Sequence, residues 1–166
     1  MNPAAELKAL CRREPRLTLA VAESLTAGQL QVRIGAISGA SDFFLGGITA
    51  YTLAQKVKHL GVDRAAAEQV NCVSADVAQQ MARGVCALFS ADVGVATTGY
   101  AEPSPAQGVT VPFAWWALAI RKRPASDCAV ACGRVDCPGA SRVQVQSMVA
   151  DAAFAELVSA LRKFRG

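Results

Sequence analysis

The chain has 166 residues, of which 52% are hydrophobic and 18% are charged. That balance supplies enough apolar surface for a folded core and argues against a disordered chain. The net charge is +4, but the basic residues are spread along the chain with few aromatic residues among them. This distribution disfavours a nucleic-acid-binding surface and is compatible with a small anionic ligand.

The six cysteines and the single histidine do not form a metal-binding pattern. No two cysteines have the C-x-x-C spacing typical of zinc sites, and His59 is the only imidazole in the chain. We therefore expect no metal site. The thiols are expected to be free and reduced, with Cys11, Cys72 and Cys86 buried in apolar surroundings.

The N-terminal segment lacks the apolar core of a signal peptide. No apolar run in the sequence is long enough to span a membrane. These two features together predict a cytoplasmic protein that does not associate with a membrane.

Helix and strand patterns alternate through the first two thirds of the chain. Proline and glycine residues separate these patterns, as Pro15 does after the first helix and Gly61 after the third. The predicted elements are a helix over 3–13, a strand over 17–22, a helix from 26 to about 34, a strand over 43–51, a helix over 54–60, a short turn over 63–68 and a helix capped by Ser74.

The last third of the chain contains two strand patterns in succession and then a long helix. The predicted elements are a strand over 92–96, a loop over 99–108, strands over 109–120 and 128–135 joined through 121–127, and a helix over 141–164. This order predicts an α/β fold, a three-layer α/β/α sandwich with a mixed, mostly parallel sheet that has an antiparallel edge. We expect residues 1–166 to form a single domain.

The first predicted strand runs into Glu23-Ser24-Leu25-Thr26-Ala27-Gly28, where small and hydroxylated residues precede a helix. Such a turn offers backbone N–H groups to an anion or to a developing oxyanion, and it places a serine at the carboxyl edge of the sheet. The alternative is that Ser24 or Thr26 only caps the helix. The stretch by itself does not decide between these two interpretations.

Three polar clusters lie at predicted strand ends: Glu23 to Thr26, Tyr51 with Lys56, and Thr97-Thr98-Gly99. A lysine that is desolvated at the floor of a cleft loses part of its proton affinity and can act as a general base for a serine. This pairing needs no histidine, and His59 lies in an apolar helix where a structural role is expected. The sequence does not assemble a Ser-His-Asp triad.

Two segments resemble signature blocks of the CinA C-terminal domain family, the nicotinamide-nucleotide amidases. Residues 22–28 resemble the family's A-E-S-C-T-G-G block, and Tyr51 to Lys56, followed by Leu60-Gly61-Val62, resembles its Y-S-N-x-x-K block. Val73-Ser74 resembles the A-V-S block, and residues 92–103 resemble the strand that ends in S-G-I-A-G-P. The resemblance covers nearly the whole chain with the same order of elements.

The resemblance implies an amidohydrolase that converts the carboxamide of nicotinamide mononucleotide, or of a related small amide, to the acid and ammonia. It implies Ser24 as nucleophile, Lys56 as base and Tyr51 nearby, with no metal or cofactor. The expected partner is the small nucleotide or amide substrate, and the family also suggests a homo-oligomer. The candidate substrate-binding residues are Glu23, Thr26, Ala27, Gly28, Thr98, Gly99 and Glu102.

Several positions depart from the family pattern. Leu53 stands in place of the asparagine, Glu102 replaces the glycine of G-I-A-G-P, and Gln146 stands where a second arginine follows Arg142. These changes favour an alternative from another class, a catalytically weak or inactive paralogue that binds a small ligand or a protein. A third interpretation, an accessory role in DNA damage or competence, rests on the family's name and the mild positive charge.

Overall fold

The computed structural model describes residues 2–121 and 128–166. Apart from Arg121, the predicted connection over 121–127 lies outside these residues. The six α-helices of the described residues are α1 Pro3–Arg12, α2 Gln29–Gly35, α3 Leu53–Leu60, α4 Arg64–Gln69, α5 Ala75–Phe89 and α6 Arg142–Arg165. The five strands are β1 Leu19–Glu23, β2 Phe44–Thr49, β3 Val93–Tyr100, β4 Phe113–Arg121 and β5 Cys128–Asp136.

The strands form one sheet in the order β2-β1-β3-β4-β5. β1 pairs in parallel with both β2 and β3, whereas β4 pairs antiparallel with both β3 and β5. Four strands therefore point in one direction and only β4 opposes them. The predicted mixed, mostly parallel sheet is confirmed, with its antiparallel pairings on the β3–β4–β5 side.

Helices cover both faces of the sheet, so the predicted three-layer α/β/α sandwich is also confirmed. On one face α1, α2 and α6 bury a cluster of large aliphatic residues that includes Leu30, Val95 and Leu157. On the other face α3, α4 and α5 pack against a cluster that is richer in alanine. β1 lies in the centre and is buried along its whole length, as expected for an apolar strand covered on both sides.

The connections create a crevice beside the carboxyl end of β1. After β1 the chain passes through α2 on one face to β2, and it then returns through α3, α4 and α5 on the other face to β3. β1 therefore stands where the direction of winding reverses. In open α/β sheets, ligands bind outside the carboxyl ends of the strands at this point.

Three predicted boundaries moved for identifiable reasons. α2 begins at Gln29 rather than Thr26, because Ala27 and Gly28 adopt left-handed backbone conformations with φ of 49° and 99°. β3 continues through Gly99 to Tyr100, because it pairs with β4 up to Phe113. β4 starts at Phe113 rather than Val109, since Pro112 cannot donate to the ladder.

Other local predictions are confirmed. Ser74 caps α5 by accepting a hydrogen bond from the Val77 N–H at 3.1 Å. Gly61 ends α3 in the left-handed conformation that glycine favours, with φ of 65°. The helix cap at Ser74 and the stop at Gly61 bound the helices that form one wall of the crevice.

Candidate functional site

The turn from Ser24 to Gly28 is attached to β3 by two hydrogen bonds. The Ser24 N–H donates to the Thr97 carbonyl oxygen at 3.0 Å, and the hydroxyls of Thr26 and Thr97 lie 2.7 Å apart. Thr26 and Thr97 are fully buried, while Ser24 is 6% exposed. The turn therefore holds Ser24 at the carboxyl end of β1 with little freedom to move.

The buried carboxylate of Glu23 stabilises the start of α2. It accepts hydrogen bonds from the backbone N–H groups of Gly28 at 3.1 Å, Leu30 at 3.1 Å and Gln31 at 2.9 Å. A carboxylate at this end of a helix also complements the helix dipole. Neither Ser24 nor Thr26 caps α2, so the capping interpretation of these two residues is wrong and the Ser24 hydroxyl is left for another partner.

That partner is Lys56, which α3 carries into the protein interior. Lys56 Nζ donates to Ser24 Oγ at 2.9 Å and to the Tyr51 carbonyl oxygen at 3.0 Å. The side chain is only 2% exposed. Burial lowers the pKa of the Lys56 ammonium, because the charged form loses its hydration, and the nearby Cys72 thiol opposes this effect.

Ser24 and Lys56 lie at the floor of a cavity of about 440 Å³. The end of β1, the β2–α3 connection, the α4–α5 connection, the end of β3 and the first residue of α6 all contribute to its walls. A volume of this size suits a small molecule. A serine hydroxyl hydrogen-bonded to a buried lysine at such a floor can be deprotonated for attack on a bound carbonyl group.

At the rim of the cavity, Arg142 connects two other walls. Its Nη1 donates to Glu102 Oε1 at 2.7 Å, and its Nη2 lies 2.6 Å from the Tyr51 hydroxyl. Tyr51 thus contacts Lys56 through its backbone and Arg142 through its side chain. Arg142 also ties the N-terminus of α6 to the segment after β3.

The structure brings six of the predicted site residues to the cavity. They are Ser24, Lys56, Tyr51, Thr98, Gly99 and Glu102. Thr98 donates its hydroxyl to the Cys72 carbonyl oxygen at 2.7 Å, so this side chain fixes the α4–α5 connection.

Four predicted substrate-binding residues do not line the cavity: Glu23, Thr26, Ala27 and Gly28. The Glu23 carboxylate and the Gly28 N–H bond to each other, and the Ala27 N–H donates to the Ser24 carbonyl oxygen at 3.1 Å. Their polar groups therefore support the turn. The direct ligand contacts expected of these four residues stay a prediction.

No motif in the sequence indicated the wall formed by the α4–α5 connection. Asn71 and Cys72 there adopt left-handed conformations with φ of 47° and 61°, although neither is a glycine. Asn71 Nδ2 donates to the Tyr100 hydroxyl at 3.2 Å. The expectation that Cys72 is a buried core thiol is wrong, because it is half-buried and lines the cavity.

Within residues 2–121 and 128–166, no group of three His, Cys, Asp or Glu side chains could hold a metal ion. The cysteines described there are free thiols. None of the helices of this part of the chain combines the length and apolar character that crossing a membrane requires.

The chain is similar in sequence to proteins of one known family. A family model described as the CinA C-terminal domain matches residues 2–161. A "CinA-like protein" of Picosynechococcus sp. is 51% identical over 86 residues, which are 52% of this chain and 20% of that protein. A "Putative competence-damage inducible protein" of Moorella thermoacetica is 48% identical over 87 residues, 52% of this chain and 21% of that protein. The matched segment spans about a fifth of the length of these relatives.

Solved structures resemble the chain over nearly its full length. A CinA superfamily protein from Enterobacter cloacae has a TM-score of 0.81 at 25% sequence identity, covering 96% of this chain and 90% of that chain. A CinA superfamily protein from Escherichia coli has a TM-score of 0.77 at 28% identity, with coverage of 95% and 89%. These proteins have the same fold as this chain.

Proposed function

The chain belongs to the CinA C-terminal domain family, and we propose that it is an amidohydrolase that uses Ser24 and Lys56. Its substrate in this proposal is the carboxamide of nicotinamide mononucleotide or of a related small amide, and its products are the acid and ammonia. The observation that carries the proposal is the 2.9 Å hydrogen bond between Lys56 Nζ and Ser24 Oγ at the buried floor of the cavity. The family resemblance supplies the substrate class.

In the first step, the neutral amine of Lys56 takes the proton of Ser24, and Ser24 Oγ attacks the carbonyl carbon of the carboxamide. The lowered pKa of Lys56 makes the neutral amine accessible at a lower pH than for an exposed lysine. The Tyr51 carbonyl oxygen, 3.0 Å from Nζ, holds the amine against the serine. The Tyr51 hydroxyl lies at the rim on Arg142 and takes no part in this transfer.

In the second step, the Lys56 ammonium returns the proton to the departing nitrogen. The C–N bond breaks, ammonia leaves and an ester between Ser24 and the acyl group remains. A water molecule then attacks this ester, Lys56 accepts the water's proton, and the proton is passed to Ser24 Oγ as the acid is released. In each cycle one water molecule is consumed, and the acid and ammonia are released.

The direct test is ammonia release from nicotinamide mononucleotide and a panel of related amides. We expect Ser24→Ala to lower the rate on the order of a thousandfold or more, because it removes the nucleophile. Thermal unfolding should change little, because the hydroxyl contributes little to packing. The matched control is Ser159→Ala, in α6, about 25 Å along the helix from Arg142, which should keep full activity.

Full activity in Ser24→Ala would refute Ser24 as nucleophile and indicate another nucleophile or direct attack by water. Unfolding of this variant would instead assign Ser24 a structural role.

A second candidate, a binding module without turnover, is favoured by two groups at the cavity. Leu53 supplies an apolar wall where the family has asparagine, and Glu102 occupies the rim beside Arg142. Calorimetric binding of an amide by the wild-type protein, together with no ammonia release over hours, would favour this candidate.

A further inference from the structure

Among the residues that the structure describes, each cation that lines the cavity already has a partner. Among the lining residues that the structure describes, the charged side chains are Lys56, Arg142 and Glu102. Lys56 Nζ bonds to Ser24 and to the Tyr51 carbonyl oxygen, and burial lowers its pKa. Arg142 and Glu102 neutralise each other at the rim.

Both terminal nitrogens of the Arg142 guanidinium already have hydrogen-bond partners. A phosphate is bound most strongly when two parallel N–H groups of one guanidinium reach it together. Here Nη1 bonds to Glu102 at 2.7 Å and Nη2 bonds to the Tyr51 hydroxyl at 2.6 Å. A phosphate bound to Arg142 would compete with these partners and would lie beside the Glu102 carboxylate.

We propose that Glu102 makes this cavity selective for carboxamides that lack a phosphoryl group, so that a nucleoside amide is preferred over its 5′-phosphate. This inference rests on the proposed function, because it takes the cavity as a carboxamide site. It narrows the substrate class through one residue, Glu102, whose carboxylate would lie beside a bound phosphate.

The size of the preference follows from the exposure of the ion pair. The side chains of Arg142 and Glu102 are 44% and 60% exposed, so water and salt screen the repulsion between Glu102 and a phosphate. We therefore expect a preference of about tenfold at moderate salt, weaker at high salt, in place of the much larger exclusion that a buried carboxylate would cause.

The test measures binding in the Ser24→Ala background, where substrates stay intact. Two probes that differ only in the phosphate are titrated by calorimetry: nicotinamide riboside and nicotinamide mononucleotide. We expect the riboside to bind about tenfold more tightly. Adding Glu102→Gln should reduce this ratio by about tenfold, because the amide oxygen can still accept from Arg142 while the negative charge is gone.

Two further variants show whether the effect belongs to this ion pair. In the Arg142→Gln background, Glu102→Gln should improve phosphate binding less than it does in the presence of Arg142. The reason is that the guanidinium that would attract the phosphate is absent. Glu6→Gln is the matched control, because Glu6 accepts from Arg162 Nε at the same 2.7 Å but lies outside the cavity. It should leave the ratio of the two affinities unchanged.

The inference is overturned if Ser24→Ala binds the phosphate at least as tightly as the riboside, if it binds neither probe, or if Glu102→Gln leaves the ratio unchanged. These outcomes are distinct from failure of the proposed function. If the wild-type protein releases no ammonia but the riboside preference and its loss in Glu102→Gln are observed, the amidase proposal fails and the selectivity stands.

Discussion

The proposed chemistry depends on Lys56. Burying a lysine is unfavourable for folding, because its charged form loses its hydration. The residue is 2% exposed, and the salt bridges found among the described residues do not include it. Burial lowers the pKa of this lysine, because the charged form loses its hydration. Groups whose pKa is shifted by burial are frequent at functional sites.

This environment predicts the pH dependence of the reaction. Because only the neutral amine accepts the proton of Ser24, kcat/KM should rise with pH as Lys56 is deprotonated, with a midpoint below the ordinary lysine pKa of 10.5. The measurement is kcat/KM for ammonia release from about pH 6 to pH 10, a range that lies below the ordinary lysine pKa. Lys56→Arg, which stays protonated throughout this range, should be inactive at every pH.

A profile that is flat across this range would contradict the assignment of Lys56 as the base. Circular dichroism of Lys56→Arg is the control for folding, since the larger guanidinium has to fit the same buried space.

Glu23 was expected to bind substrate, and its position under α2 also allows a stability prediction. Its buried carboxylate accepts three backbone hydrogen bonds from α2, and charge-assisted bonds of this kind are the stronger ones. Glu23→Gln should lower the free energy of unfolding by about 1.5 to 3 kcal/mol, because the amide cannot accept from all three donors. Urea unfolding measures this.

Glu68→Gln is the matched control, because the exposed Glu68 pairs with Arg64 at 3.7 Å on α4 and should change stability by less than about 0.5 kcal/mol. Equal effects of the two substitutions would mean that Glu23 contributes no more than a surface carboxylate. Glu23→Gln should also reduce the rate of ammonia release, since the turn that holds Ser24 is loosened.

At the scale of elements, the position of Lys56 depends on how closely α3 and α5 approach. A Cβ at Gly84 in α5 would collide with the backbone carbonyl of Leu60, the last residue of α3. This contact permits only a hydrogen atom at position 84. The same substitution in an open helical position would be favourable, because alanine has a higher helix propensity than glycine.

Two substitutions separate these effects. Gly84→Ala should lower the free energy of unfolding by about 1 to 3 kcal/mol because of overpacking, and it should slow ammonia release by moving α3 and its lysine. Gly35→Ala, where nothing lies within 4 Å of the added carbon, should be neutral or stabilising by up to about 1 kcal/mol. Chemical denaturation and the ammonia assay compare them, and a stabilised Gly84→Ala would contradict the close helix contact.

The elements themselves were largely predictable, because periodicity and capping residues are local signals. The strand before Ser24, the Ser74 cap and the Gly61 stop all follow from a few neighbouring residues. The left-handed turn at Ala27 was not predictable, since an alanine rarely adopts that conformation without support from its surroundings. The same holds for Asn71 and Cys72, whose conformation brings a new wall to the cavity.

At the scale of the whole molecule, contacts between distant segments decided what the sequence could not. The Ser24–Lys56 contact was expected, because both residues follow strands of a parallel sheet and match the family blocks. The link from Arg142 to Glu102 and Tyr51 was not, since it joins residues 40 and 91 positions apart. The homo-oligomer and the single-domain organisation expected from the sequence stay predictions.

The winding of the chain around β1 has a consequence for the time at which the cavity forms during folding. β1 must acquire β2 on one side and β3, some seventy residues later, on the other, and such distant parallel pairings form slowly because the intervening chain must first be closed into a loop. Lys56 and Asn71 lie on that loop, while Arg142 arrives only with α6. The binding cavity is therefore among the last features to be completed, and partly folded chains emerging from synthesis contain Ser24 long before they contain a site around it.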